Sequence, residues 1–150
     1  MSASAFIIWT IHKKNKELSW KTVMQLLLTN GWNINDHGKM TYLPLHDNDM
    51  YSWQREPIDE DKLIGILTEK EAAKESLGIC ITWKDSNIGG SLVTLNENEV
   101  MLSININRKT IKLYEGEIIT DVNWYLARIN FILSQREDID VISIKFVETV

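Results

Sequence analysis

His46, Asp47 and Asp49 set an imidazole and two carboxylates close together, the side-chain types that hold a divalent cation or move a proton. A calcium loop of the EF-hand kind starting at Asp47 would need glycine at its sixth position and glutamate at its twelfth. The chain has Ser52 and Ile58 there. His12, His37 and His46 share no helical pairing of the HExxH kind. Gly89-Gly90-Ser91 lacks the glycine–serine–glycine alternation of a nucleophile elbow and the Lys-Ser/Thr of a phosphate loop, so a glycine turn between two strands is expected. Cys80 has no neighbouring base and reads as an inert thiol inside a strand. No catalytic set, metal or cofactor is expected, and a small metal-dependent hydrolase using His46, Asp47 and Asp49 stands only as the alternative.

Charge and rings carry more than chemistry does. The chain is 150 residues long with a formal charge of -5, and residues 47–61 alone hold a net -5. Asp47, Asp49, Glu56, Asp59, Glu60 and Asp61 stand there against Arg55 alone, with Tyr51 and Trp53 set among them. Tyrosine and tryptophan dominate the residues that carry binding energy at protein interfaces. Acids around them steer a basic partner and exclude others. The eight residues Asp47, Asp49, Tyr51, Trp53, Glu56, Asp59, Glu60 and Asp61 are therefore the candidate partner-binding set. Nucleic acid is disfavoured, because the one basic cluster is Lys13, Lys14 and Lys16 after a strand.

Hydrophobic spacing supplies the frame. Phe6 to Ile11 is apolar on both alternating faces and predicts a central strand covered on both sides. Ser19 predicts an N-cap for a helix carrying Trp20, Val23, Met24, Leu27 and Leu28, ended by Gly31. Lys39 to Leu45 predicts a short strand, and Asp59 opens a helix with an imperfect stripe of Leu63, Ile66, Leu67, Ala73 and Leu77. Strands follow at Gly78 to Lys84, Ser91 to Leu95 and Val100 to Asn107, with a weaker one at Thr110 to Tyr114. Thr120 or Asp121 caps a third helix bearing Val122, Tyr125, Leu126, Ile129, Ile132 and Leu133, and Val141 to Val147 closes as a strand. The expectation is one α+β domain over residues 1–150, a mostly antiparallel sheet packed with three helices. The chain carries a single cysteine, which excludes an internal disulfide framework. No apolar run approaches the roughly 20 residues that span a bilayer, and Met1 to Ala5 is no basic leader, so a cytoplasmic location is expected.

Several stretches together resemble small bacterial immunity proteins encoded beside polymorphic or contact-dependent growth-inhibition toxins. They are Tyr42-Leu43-Pro44-Leu45-His46-Asp47-Asn48-Asp49 with Tyr51 and Trp53, Gly89-Gly90-Ser91, Asn107-Arg108-Lys109, and Thr120-Asp121-Val122-Asn123-Trp124-Tyr125-Leu126. The resemblance implies a non-enzymatic cytoplasmic protein that binds and neutralises a cognate toxin C-terminal domain, often a nuclease. It transfers no contact residues, because such families diverge at the toxin-facing surface. An adaptor or chaperone for a secreted effector is the other non-enzymatic alternative.

Overall fold

The computed structural model describes residues 4–149. The chain opens with β1 (Ser4–Lys13), after which Ser19 caps α1 (Trp20–Leu28) by accepting the Thr22 N–H at 3.1 Å. The helix stops three residues before Gly31, which takes φ +115°. Short strands β2 (Trp32–Asn33), β3 (Asn35–Asp36), β4 (Lys39–Tyr42) and β5 (Gln54–Glu56) lead to α2 (Glu60–Ala72). The meander β6 (Gly78–Trp83), β7 (Gly89–Thr94) and β8 (Glu99–Ile106) follows. A small hairpin of β9 (Thr110–Lys112) and β10 (Ile118–Thr120) precedes α3 (Val122–Ser134), and β11 (Ile139–Thr149) ends the fold.

The main sheet has the order β11-β1-β8-β7-β6-β4-β3, with β2 on β6 and β5 on β4. Every pairing among the described strands is antiparallel. Directly opposed residues of antiparallel strands share a face. The register therefore lines up Ile7, Leu102, Leu92, Ile79 and Tyr42 as one row across five strands. Trp20, Val23, Met24 and Leu27 of α1, Leu63 and Leu67 of α2, and Tyr125, Ile129, Ile132 and Leu133 of α3 pack into the same buried cluster. All three helices thus cover one face of the sheet, the layered α+β arrangement that the hydrophobic spacing predicts. Each such side chain taken fully out of water contributes about 1.5–3 kcal/mol.

Tryptophans supply much of this volume without leaving buried donors unpaired. The indole N–H of Trp9 donates to Asn130 Oδ1, that of Trp20 to the Asn96 carbonyl and that of Trp32 to the Arg128 carbonyl.

Two expectations need correction. β1 is central, but only its Ala5, Ile7, Trp9 and Ile11 side is buried, while Phe6, Ile8 and Thr10 are half-covered. The helices lie on one face only, so the alternate residues meet nothing comparable. Gly89 and Gly90 are not a turn either, because the turn lies over residues 84–87 and both glycines belong to β7. They are there for space, since a Cβ on Gly89 would stand 1.8 Å from the Ile81 carbonyl oxygen.

Candidate functional site

The acidic, aromatic segment leaves the sheet after β4 and returns as β5, beside the helix-free face. Leu43 and Trp53 fold back over Gly78, where an added Cβ would come within 2.6 Å of Leu43 Cδ1 and 3.0 Å of Trp53 Cη2. Trp53 is half-buried by this contact. Between those two pins the loop turns outward. Met50 is 74% exposed and Tyr51 50% exposed.

Backbone geometry shows what holds that loop. His46, Asn48, Asp49 and Tyr51 all take left-handed φ between 53° and 60°. Such a φ is tolerable for Asn, Asp and His but costly for a bulky residue. The strain of four such residues is on the order of several kcal/mol and persists only where the surroundings over-determine it. Asp47 supplies one restraint: it is only 8% exposed, and its carboxylate accepts the Tyr51 and Ser52 N–H groups, each at 2.9 Å. Lys70 of α2 supplies the other from beneath, fully buried. Its ammonium donates to the Pro44 carbonyl at 2.6 Å and to Glu75 Oε1 at 3.1 Å, and Glu75 Oε1 also accepts the His46 N–H at 2.8 Å.

Burial alone would raise the Glu75 carboxyl. The hydrogen bond and charge of Lys70, with the backbone N–H groups of His46 and Asp47, reverse that and hold it below the usual carboxylate range. A depressed folded value stabilises the fold above the unfolded carboxylate pKa of about 4.3 and ceases to do so as pH falls through the lower folded value. Glu75→Gln is therefore expected to destabilise the protein at neutral pH, with the difference from wild type closing below about pH 4. Urea unfolding of both proteins across that range measures it.

The remaining candidates divide by what they already touch. Glu56 accepts the Tyr42 hydroxyl at 2.8 Å, and burial followed by this carboxylate pushes the Tyr42 phenol up to about 12, so the proton stays on the tyrosine. Asp59 is the N-cap of α2 and accepts the Lys62 N–H at 2.7 Å. Asp49, Glu60 and Asp61 are exposed. Among the described residues, no acid of the 47–61 segment forms an ion pair with Lys or Arg. Arg55, the one base within it, reaches out of the segment to Asp36 at 3.2 Å. The local charge is thus left uncompensated from within. Asp59 to Asp61 lie at the N-terminus of α2, while Lys70 and Glu75 hold the stretch that leads to Asp49 at its other end, a helix length of about 20 Å away.

Spacing misses three contributors. Met50, beside Tyr51, is 74% exposed, yet methionine carries no charge or periodic signal there. Lys70 completes the 63-67-70 stripe of α2, a position where an apolar residue is the usual expectation. Glu75 follows α2 and binds the loop only through the tertiary fold.

Other candidate chemistry finds little support in the geometry. Asp47 spends its carboxylate on its own loop, and the described residues contain no group of three or more His, Cys, Asp or Glu placed to hold a metal ion. Cys80 Sγ lies 3.4 Å from Ser91 Oγ, and burial pushes its thiol up against the opposing pull of that bond, which disfavours the thiolate. No helix among the described residues is long and apolar enough to cross a membrane. Compared with family models, curated proteins and solved structures, the chain finds no match.

Proposed function

We propose that the protein is a stoichiometric inhibitor of a cationic protein, an immunity protein that neutralises a cognate toxin domain. The observation that carries this reading is the unpaired charge of residues 47–61 beside a loop strained to hold Met50 and Tyr51 in solvent. A loop already fixed in its binding conformation loses little entropy when a partner arrives. An enzyme that grips phosphates needs a basic surface, and acids with embedded rings are the matching antagonist. The length of α2, roughly 20 Å from the acids at its start to the loop held at its end, fits within a standard interface burying about 800 Å² per partner.

Tyr51 and Met50 are the central contacts on this reading, with Trp53 and Asp47 holding them from behind. Asp49, Glu60 and Asp61 form the charged rim. Tyr51→Ala is expected to weaken the complex by about 2 kcal/mol or more, some thirtyfold, through faster dissociation. Asp49→Asn with Glu60→Gln and Asp61→Asn is expected to slow association and flatten its salt dependence instead. Surface plasmon resonance separates the two effects.

The deciding experiment co-expresses the chain with the toxin domain encoded beside its own gene. Restored growth and an equimolar complex on gel filtration support the proposal. Continued killing, with the two proteins eluting apart, overturns it.

A further inference from the structure

We propose that the groove between α3, the end of α1 and the end of β6 binds a small organic carboxylate with an apolar, ring-sized body. This site is separate from the acidic loop. Trp53 covers Gly78 at one end of β6, whereas the groove lies beside Trp83 at the other, roughly 17 Å away by strand rise.

The groove encloses about 450 Å³, and its lining includes Asn30, Trp83, Lys84, Arg128, Phe131 and Gln135 but no acidic residue. That volume suits a small ligand. Arg128 lies with its guanidinium carbon 4.3 Å from the Trp124 ring centre and 5.5 Å from that of Trp83. Lys84 Nζ stands 5.0 Å from the Trp83 ring centre. Trp32 props both rings edge-on, at 5.3 Å from Trp83 and 6.2 Å from Trp124, so the aromatic surfaces against Arg128 are fixed.

Two features point to an anion. Among the described residues neither Arg128 nor Lys84 forms an ion pair, in a chain of net charge -5. Arg128 has five donors to place. Its one hydrogen bond there runs from Nη1 to the Trp124 carbonyl at 3.0 Å, and its Nε is buried with no acceptor. Arginine whose donors are unmet beside a groove matches a carboxylate, which its fork can bind through two parallel hydrogen bonds. Nε is closed off in the free groove, so full engagement requires a side-chain rotation there.

The ends of α1 and α3 also reach this groove through Asn30 and Gln135. A helix C-terminus is equivalent to roughly -0.5 charge, so the pair offsets about half of the two cations and leaves the groove positive. Phe131, 65% exposed at the rim, and Trp83 supply a surface for the ligand's apolar body.

The test uses phenylacetate, its neutral isostere phenylacetamide, and inorganic phosphate. Phenylacetate is expected to shift the indole N–H resonances of Trp83 and Trp124 saturably, with a Kd of about 1 mM or below, while those of Trp9 and Trp20 stay fixed. Phenylacetamide and the Arg128→Gln variant are each expected to bind about tenfold more weakly. Lys84→Gln, at an exposed position that leaves the core intact, is expected to weaken binding severalfold. Acid and amide binding alike, phosphate binding as well as phenylacetate, or no shift up to about 10 mM would each overturn the proposal.

Discussion

Lys70→Ala is expected to lower the unfolding free energy by about 3 kcal/mol, because it leaves a largely covered carboxylate, 16% exposed, without its buried cation. Among the described residues the ammonium is the one Lys or Arg group at the Glu75 carboxylate, with the His46 imidazole 3.7 Å from its other oxygen, and it also satisfies the Pro44 carbonyl. Removing it strands both acceptors. For a domain of this size the midpoint of thermal unfolding falls by on the order of 10 °C. The effect reaches past stability, since Glu75 would then hold the His46 N–H without support and the outward turn at Met50 and Tyr51 would loosen. Pairing Lys70→Met with Glu75→Gln tests the cause. The amide oxygen still accepts from His46 while no charge remains to be stranded, so the double variant is expected to lose much less than the single changes summed. Additive losses in calorimetry would show that the pair is not coupled.

Gly89→Ala is the other large effect, expected at about 3 kcal/mol or more, above the usual cost of an extra methyl in a packed core. The new Cβ would sit 1.8 Å from the Ile81 carbonyl oxygen and 2.8 Å from Thr82 Cα. These are backbone atoms of β6, so no rotamer change relieves the clash. The strands must part, and the ladder from Gly78–Val93 to Thr82–Gly89 breaks at its end. Gly90 meets the same limit on its other side, with its added Cβ 2.0 Å from the Ser103 carbonyl oxygen of β8. The register between β7 and β8 shifts at this point, and close backbone approach at an irregularity is a recurrent reason for glycine in a strand. Urea unfolding is the check. Gly38→Ala is the control for local space, because an added Cβ meets nothing there within 4 Å, although its φ of +84° adds strain of its own.

Local signals carried most of the fold. Ser19 and Asp121 announce α1 and α3 because a cap is chemistry within four residues, and both side chains make the expected bond. The alternation survives in β8 from Val100 to Ile104, as Val100, Leu102 and Ile104 are buried, while Ile106 at the strand end is only half-covered. Gly89-Gly90 misled because glycine pairs favour turns by propensity, whereas here the reason for them is a neighbouring strand. β10 escaped notice because Ile118 to Thr120 pairs only with β9, and that hairpin lies apart from the main sheet.

The candidate site was legible in composition and illegible in division of labour. Tyr51 and Trp53 look equivalent in the sequence, yet one is displayed and the other packs against Leu43 and Gly78. Asp47 and Asp49 are likewise neighbours, but the first folds inward as a loop clasp and the second stays exposed. Only backbone torsion separates them, and Tyr51 at φ 54° has no residue-type signal for it. The groove at Arg128 was hidden for a different reason. Its Arg128 lies against both Trp83 and Trp124, whose rings meet Trp32 only through the tertiary fold.

Amide hydrogen exchange on the free chain and on its complex with the neighbouring-gene toxin domain addresses the central claim most directly. Protection gained mainly across residues 46–61, on a loop that already exchanges slowly in the free protein, is the expected result. Protection gained elsewhere, with residues 46–61 exchanging as before, would contradict it.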